Sequence, residues 1–239
     1  MRRLVLSLVL LQPVVLARGQ APGPLVTDRP DFTESTPVVP RGRFQLEGGS
    51  TGERANGHAA WSVGEALLRA ALGRRVEARF TLGGSVDDAR RRVNDASVGV
   101  KVALRERSPA VSVIADVGVP FVEAGRGTFG VKLLGSVDVT ERVGLGVNLN
   151  AARVREDGAL FGELSASASL ASGLTERVGA FVEGYAFLPV TGPDEARVPT
   201  PFANAGLTFQ PTPDVQLDAR VGYGHGRTVF AGVGAAVRF

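Results

Sequence analysis

The sequence predicts an all-β fold, a transmembrane antiparallel up-and-down β-barrel of about twelve strands. Three observations predict this class. Apolar residues alternate with polar or small ones along most of the chain, as in its last stretch, AGVGAAVRF, which ends on Phe239. Successive side chains leave a strand on opposite faces, so this alternation is strand periodicity. The alternating segments are roughly nine to twelve residues long, enough for a tilted strand to cross a bilayer, and short turns alternate with longer loops between them.

Residues 1–21 have the features of a cleaved secretory signal. Two arginines precede a short apolar core, residues 4–16, and small residues follow at Gly19 and Ala21. Gln12 and Pro13 interrupt the core, which is shorter than the roughly 20 residues of a membrane-spanning helix, so a retained anchor is the weaker alternative. Without this segment the chain has 24 basic and 24 acidic residues. A net charge near zero gives no basis for nucleic-acid binding.

Residues 22–42 precede the first expected strand. Pro30, Pro37 and Pro40 disfavour regular secondary structure there, and Asp28, Asp31 and Glu34 place three carboxylates close together. Three roles are open for this segment: a periplasmic tail, a plug folded into the lumen, or a weak cation site. The chain contains no cysteine, which excludes disulfides, thiolate metal sites and a catalytic thiol. No metal site or cofactor is otherwise indicated.

Residues 43–239 contain the expected barrel. One segment, EALLRAALG (residues 65–73), also has good helix propensity, but its apolar residues align at period two, which favours a strand. Alternation is clearest in residues 96–104, 143–149, 160–170, 203–209, 215–223 and 229–239.

The connections between strands fall into two classes. An even number of strands places both termini on the side of the short turns, which is the periplasmic side in outer-membrane barrels. Short turns are expected at residues 72–76, 105–109, 139–144, 174–179 and 210–215, and longer loops near residues 49–64, 83–94, 121–127, 155–158, 189–200 and 224–227.

One face of each strand is apolar because it is expected to meet lipid. The sheet must then close into a barrel, because no N–H or C=O of a strand edge can stay unpaired in hydrocarbon. Aromatic residues on this face should then form two belts at the membrane interfaces. A soluble β-sandwich with the same alternation has no reason to sort them. We assign Phe44, Phe209 and Phe239 to the periplasmic belt, and Phe80, Phe129 and Tyr223 to the outer belt.

The other face of the strands carries the charge and is expected to line the lumen. Its seven acidic and seven basic residues are balanced, which favours an interlaced, partly filled interior over a pore selective for one sign of charge. Each of these charges is equally compatible with a purely structural network. The inward set is Glu47, Arg69, Glu77, Arg79, Lys101, Arg105, Asp116, Lys132, Asp138, Glu163, Glu183, Asp218, Arg220 and Arg238.

Four blocks of the chain resemble the outer-membrane transporters of the meta-pathway phenol-degradation (MetA-type) family. They are TDRPDFTESTPVVPRGRFQLEGG, LLRAALGRRVEARF, DASVGVKVAL and VQLDARVGYG, and the likeness covers residues 25–239. Its most specific part is Asp28-Arg29-Pro30-Asp31 followed by Glu47-Gly48-Gly49. The resemblance implies a channel or transporter for small solutes, with aromatic or hydrophobic compounds as one class. The stretch VPFVEAG (residues 119–125) departs from the family, so that outer loop is expected to differ.

Two alternatives to a channel are an outer-membrane enzyme of the lipase type and a closed structural barrel. A lipase needs a Ser beside a His at the lipid boundary. The two histidines, His58 and His225, are both expected in outer loops, and the sequence near His225 offers Thr228 but no adjacent Ser. We therefore expect no enzyme. The expected partners are outer-membrane lipids and the barrel assembly machinery, which recognises a C-terminal aromatic residue such as Phe239.

Overall fold

The computed structural model describes residues 23–87, 91–120, 127–156, 159–191 and 198–239. The expected signal lies outside these residues. In the described ranges no helix is long and apolar enough to cross a membrane.

Twelve antiparallel strands form one closed barrel, in which each strand pairs with its neighbours in sequence and β1 pairs with β12. Residues 65–71 of the EALLRAALG segment lie in β2, and β3 follows β2 after a four-residue turn, so the prediction of a strand is confirmed. The strands are β1 (Phe44–Ala55), β2 (His58–Ala71), β3 (Val76–Asp87), β4 (Arg91–Arg105), β5 (Ala110–Pro120), β6 (Thr128–Asp138), β7 (Val143–Glu156), β8 (Ala159–Gly173), β9 (Val178–Pro189), β10 (Thr200–Thr212), β11 (Val215–Gly224) and β12 (Thr228–Arg238).

The barrel closes through the first and last strands, whose register is continuous from Gln45 opposite Arg238 to Arg54 opposite Val229. Phe239 extends the ladder, since its N–H donates to the carbonyl of Phe44 at 2.8 Å. The start of β1, the end of β12 and the five short turns therefore share one end of the barrel, which we call the terminal end. The other connections lie at the opposite, loop end.

Burial is inverted relative to a water-soluble protein. Large apolar side chains are exposed, with Leu149 at 61% and Val233 at 62%, whereas Glu77 and Lys101 are fully buried. Exposed apolar residues alternate with buried polar ones along the same strands, which fits a wall between lipid and an enclosed polar interior. The prediction of a transmembrane β-barrel of twelve strands is confirmed.

The prediction of a long loop near residues 49–64 is wrong. β1 and β2 continue to a two-residue turn at Asn56-Gly57, where both residues have positive φ, 50° and 87°. Asn-Gly is the preferred pair for this turn because both residues adopt left-handed backbone conformations at low cost. The strands of the pairs β3/β4 and β7/β8 also extend further towards the loop end than the sequence predicted. A short 3-10 helix, His225–Arg227, joins β11 to β12. Residues 88–90, 121–126, 157–158 and 192–197 lie outside the described part.

All six residues assigned to the aromatic belts are exposed on the outer face. Phe44 and Phe239 lie at the terminal end, with Phe209 near it, and Phe129 and Tyr223 lie near the loop end. The assignment of Phe80 to the outer belt is wrong, because it is the fifth residue of the twelve-residue β3, which starts at the terminal end and continues seven residues beyond it.

Candidate functional site

The segment before β1 lies inside the barrel. It enters at the terminal end. There the guanidinium of Arg238 donates to the carbonyl of Gly23 at 2.7 Å, and the side-chain amide of Gln210 donates to the carbonyl of Leu25 at 2.8 Å. It returns to β1 past Ser112, whose hydroxyl donates to the carbonyl of Thr36 at 2.6 Å. We call residues 23–43 the internal segment and residues Arg29–Thr33 its tip.

The carboxylate of Asp28 is the electrostatic centre of the internal segment. It is buried between Arg79 on β3, Lys101 on β4 and Arg69 on β2. The Nζ of Lys101 lies 3.0 Å from Oδ2 of Asp28, and Nη1 of Arg69 lies 3.5 Å from the same oxygen. The other oxygen accepts from the backbone N–H and the hydroxyl of Ser35, which folds the segment around its own acid.

Further carboxylates complete this arrangement, which we call the charge cluster. Glu47 accepts from the backbone N–H groups of Asp28 and Arg29, at 2.9 and 3.1 Å. Glu77 receives Nε of Arg69 at 2.9 Å. The cluster balances four acids with four bases, so its buried ions are compensated within the lumen. Its members are Asp28, Glu34, Glu47, Glu77, Arg69, Arg79, Lys101 and Lys132.

The two acids that the internal segment contributes to the charge cluster are held ionised. Burial opposes ionisation of Asp28, but Arg69, Lys101 and Arg79 hold its pKa well below its usual range. Burial likewise acts against Glu34, and its pKa is lowered by Lys132 and by Arg79, which lie 2.9 and 3.2 Å from Oε1. Deprotonated acids on the segment therefore face cations on the wall.

The tip is held by a second, separate acid on β9, Glu183. Its carboxylate accepts from the backbone N–H groups of Phe32 and Thr33 and from the Thr33 hydroxyl. The amide of Asn204 donates to the same carboxylate at 2.6 Å. Ser167 on β8 also bonds the Thr33 hydroxyl at 2.8 Å. One buried side chain thus satisfies three donors of the tip.

Arg29 occupies a recess in the wall formed by Gly49 and Gly234, which lie opposite each other on β1 and β12. A Cβ atom at either glycine would overlap the guanidinium, so the close approach requires glycine at both positions. The Nη1 of Arg29 lies 3.1 Å from Glu65, and Nη2 lies 3.5 Å from Asp218. The Arg29 side chain therefore ties the tip to the seam where the barrel closes.

Two chambers border the tip. One, of about 520 Å³, is lined by residues of the terminal-end turns and by Arg29, Pro30, Asp31 and Thr33. The other, of about 430 Å³, is lined by Phe32 and by wall residues towards the loop end. The tip therefore lies between the two chambers along the lumen.

Aromatic side chains line the loop-end chamber. The rings of Phe32 and Tyr185 are stacked, with centroids 4.6 Å apart, and Tyr185 stacks in turn on Phe202 at 5.2 Å. Phe187 meets Phe32 and Phe202 edge-on. The guanidinium of Arg220 lies 5.6 Å from the ring centroid of Phe230, a cation–π contact.

The predicted lumen charges differ in where the structure places them. Glu47, Arg69, Glu77, Arg79, Lys101 and Lys132 join the charge cluster, and Glu183, Asp218 and Arg220 contact the tip or lie beside it. Asp116 and Glu163 are partly buried on the inner face. Arg105 and Asp138 are exposed at the terminal end, apart from the charge cluster, because β4 and β6 end there. Arg238 is paired with Asp214.

Of the motif Asp28-Arg29-Pro30-Asp31, every residue belongs to the internal segment, and the carbonyl of Pro30 accepts from Arg220 at 2.7 Å. Sequence reasoning missed Tyr185, Phe187 and Phe202, which it placed on neither face, and did not pair the motif with any wall charge. Among the residues that the structure describes, no three acids or histidines converge as a metal site.

A closed twelve-stranded barrel with an apolar outer face and a charged, occupied lumen defines the class of outer-membrane β-barrel proteins. The chain belongs to the family described as "Putative MetA-pathway of phenol degradation", whose model matches residues 27–239. This confirms the resemblance found in the sequence. No curated protein matches the chain in sequence.

Three solved structures share the fold. The COG4313 outer membrane channel from Pseudomonas putida F1 has a TM-score of 0.62 at 10% identity, covering 88% of this chain and 99% of that one. The NanC porin has a TM-score of 0.61 at 10% identity, covering 80% and 98%. The KdgM porin has a TM-score of 0.55 at 11% identity, covering 82% and 99%. At these identities the likeness shows the fold alone.

Replacing Asp28 should loosen the internal segment. Asp28→Asn leaves Arg69, Arg79 and Lys101 buried with one compensating charge fewer, a change that costs about 3–5 kcal/mol in buried ion pairs. We expect a lower free energy of unfolding in detergent and faster amide exchange across residues 25–39. Asp138→Asn, at an exposed carboxylate, is the matched control. Unchanged exchange in Asp28→Asn would show that the cluster does not hold the segment.

The seating of the tip should depend on pH through Asp31. Burial and, second, the neighbouring carboxylate of Glu183 raise the pKa of Asp31 to about 7, from 3.8. The seated state then binds the proton more tightly than the released state, so stability is present at low pH and is lost as the pH rises through about 7.

We therefore expect amide exchange of Phe32 and Thr33, corrected for the intrinsic effect of pH, to accelerate between about pH 4 and 7 and to level off above about pH 7. Asp31→Asn removes the titrating group and should flatten this dependence while Glu183 stays in place. An equally steep profile in Asp31→Asn would assign the effect to another group.

Proposed function

We propose that this protein is an outer-membrane channel for small solutes in which the tip of the internal segment controls the route. The observation that carries this is the arrangement of two chambers, of about 520 and 430 Å³, on the two sides of the tip. Twelve strands enclose more space than side chains alone fill, since eight already suffice for a filled interior. The internal segment occupies that additional space, so displacing its tip would join the chambers.

Membership of the family and the barrel fold support this reading. The names of the similar structures describe two porins and one outer membrane channel. The balanced charge of the lumen favours weak selectivity between cations and anions, because no ring of one sign lines the described wall. We assign the terminal end, with both termini, to the periplasm, and we propose that Phe239 is the residue that the assembly machinery recognises.

We propose no enzymatic role. Both histidines are exposed at the loop end. The Thr228 hydroxyl donates to the backbone carbonyl of His225 at 2.7 Å, so it is bonded to the main chain rather than to the imidazole. A nucleophile needs a base side chain within hydrogen-bond reach. The alternative is a closed structural barrel, and the conductance experiment below distinguishes it from a channel.

Conductance of the purified full-length protein in planar bilayers tests the proposal. We expect small, infrequent openings for the wild type, because the tip blocks the route for most of the time. Glu183→Gln keeps the shape of the side chain but weakens its three bonds to the tip, so openings should become several-fold more frequent. Glu106→Gln, at an exposed acid in a terminal-end turn, should behave as the wild type. Absence of openings in both wild type and Glu183→Gln, with the barrel folded, would favour a closed structural barrel.

A further inference from the structure

The stack on Tyr185 contains one ring that does not belong to the barrel. Tyr185 lies between Phe202, on the neighbouring strand β10, and Phe32, on the tip of the internal segment. Both partners are nearly parallel to it, with interplanar angles of 10° and 18°. The molecule therefore shows that the wall at Tyr185 accepts a planar aromatic ring on its free face.

The barrel side of this site is fixed by its neighbours. Phe202 lies opposite Gly224 and Phe230 opposite Gly222, and a Cβ atom at either glycine would overlap the ring. Rings packed flat against backbone have little freedom to turn, so the wall of Tyr185, Phe187, Phe202 and Phe230 keeps its shape when Phe32 leaves. We call these four residues the aromatic wall.

The tip side of the site is held separately from the charge cluster. Phe32 is attached through its own N–H and that of Thr33 to Glu183, whereas the salt bridges of the internal segment belong to Asp28, Arg29 and Glu34. Phe32 also lines the loop-end chamber of about 430 Å³, which lies within the size range of small-molecule sites. Phe32 and Thr33 can therefore move while Arg29 and the rest of the internal segment stay seated.

The charges around Phe32 favour an uncharged occupant. The carboxylate of Glu183 accepts from the backbone N–H of Phe32 and repels an anion. A cation would compete with Arg220, which already lies over Phe230 and donates to Pro30 and to the Thr51 hydroxyl. A neutral ring meets neither obstacle and retains the stacking on Tyr185.

We propose that an uncharged planar aromatic solute binds the aromatic wall in place of Phe32, and that this displacement moves Phe32 and Thr33 of the tip and joins the two chambers. The solute replaces the stacking contact that Phe32 loses, so binding shifts the equilibrium of the tip by its preference for the displaced state. This inference rests on the proposed channel function for its effect on conductance, but not for the binding itself.

The test compares benzyl alcohol with cyclohexanemethanol, which has the same hydroxymethyl group on a saturated ring. Their affinities for the full-length protein in detergent micelles are measured by titration under NMR observation. We expect benzyl alcohol to bind roughly two- to tenfold more tightly, the factor that corresponds to an aromatic pair. It should also accelerate amide exchange at Phe32 and Thr33, which donate to Glu183 only while the tip is seated.

Two variants separate the site from general hydrophobic binding. Phe32→Leu removes the competing ring and should tighten benzyl alcohol several-fold, because the site no longer has to be vacated. Tyr185→Leu removes the stacking face and should abolish the preference for the aromatic probe. Phe129→Leu, on the outer face, is the matched control and should change neither value.

Equal affinities for the two probes, weaker binding in Phe32→Leu, or unchanged exchange at Phe32 and Thr33 would each overturn the inference. Conductance distinguishes it from the proposed function. A channel that opens in bilayers but shows no ring preference retains the proposed function and loses the aromatic site. Ring-specific binding without any conductance retains the site and refutes the channel.

Discussion

The interior of this protein depends on the charge of one side chain, Asp28. The wall places Arg69, Arg79 and Lys101 around a single point in the lumen, and such a concentration of positive charge is strongly unfavourable without an acid. Glu47 and Glu77 on the strands compensate part of this charge, and the further acid comes from the internal segment. Folding of the wall and docking of the segment are therefore coupled, because the absence of either one leaves buried ions of the other without full compensation. Glu34 with Lys132, and Arg29 with Glu65, extend the same principle towards neighbouring strands.

The lumen separates two tasks. The charge cluster and Arg29 anchor the internal segment, while Phe32 and Thr33 at the end of the tip are attached by neutral donors to Glu183 and by a ring to Tyr185. Hydrogen bonds and stacking are weaker and easier to exchange than a network of buried ion pairs. A segment attached in this way can remain in the barrel while its tip moves. The glycines of the wall serve both tasks, since Gly49 and Gly234 admit Arg29, and Gly222 and Gly224 admit the aromatic rings.

Sequence patterns predicted the barrel because alternation is local and needs no knowledge of pairing, as in β12. They missed the Asn56-Gly57 turn by giving the surrounding glycines more weight than the turn-forming pair. They placed Glu47, Arg69 and Lys101 on the inner face but could not join them to Asp28, because those contacts span 19 to 73 residues of sequence. The aromatic wall stayed hidden because Phe202 opposite Gly224 is a matter of register between strands, which alternation alone does not give.

The most direct test of this account is a disulfide between the internal segment and the wall, in a chain that has no cysteine of its own. The hydroxyls of Thr36 and Ser136 lie 2.7 Å apart, although the residues are 100 positions apart in sequence. In the double variant Thr36→Cys/Ser136→Cys we expect a disulfide to form in the folded, membrane-inserted protein under mild oxidation. Pairing Thr36→Cys with a cysteine in place of Ser50, on another strand, is the control and should give none. A folded barrel in which the Thr36–Ser136 pair stays reduced under the same oxidation would contradict the placement of the segment inside the lumen.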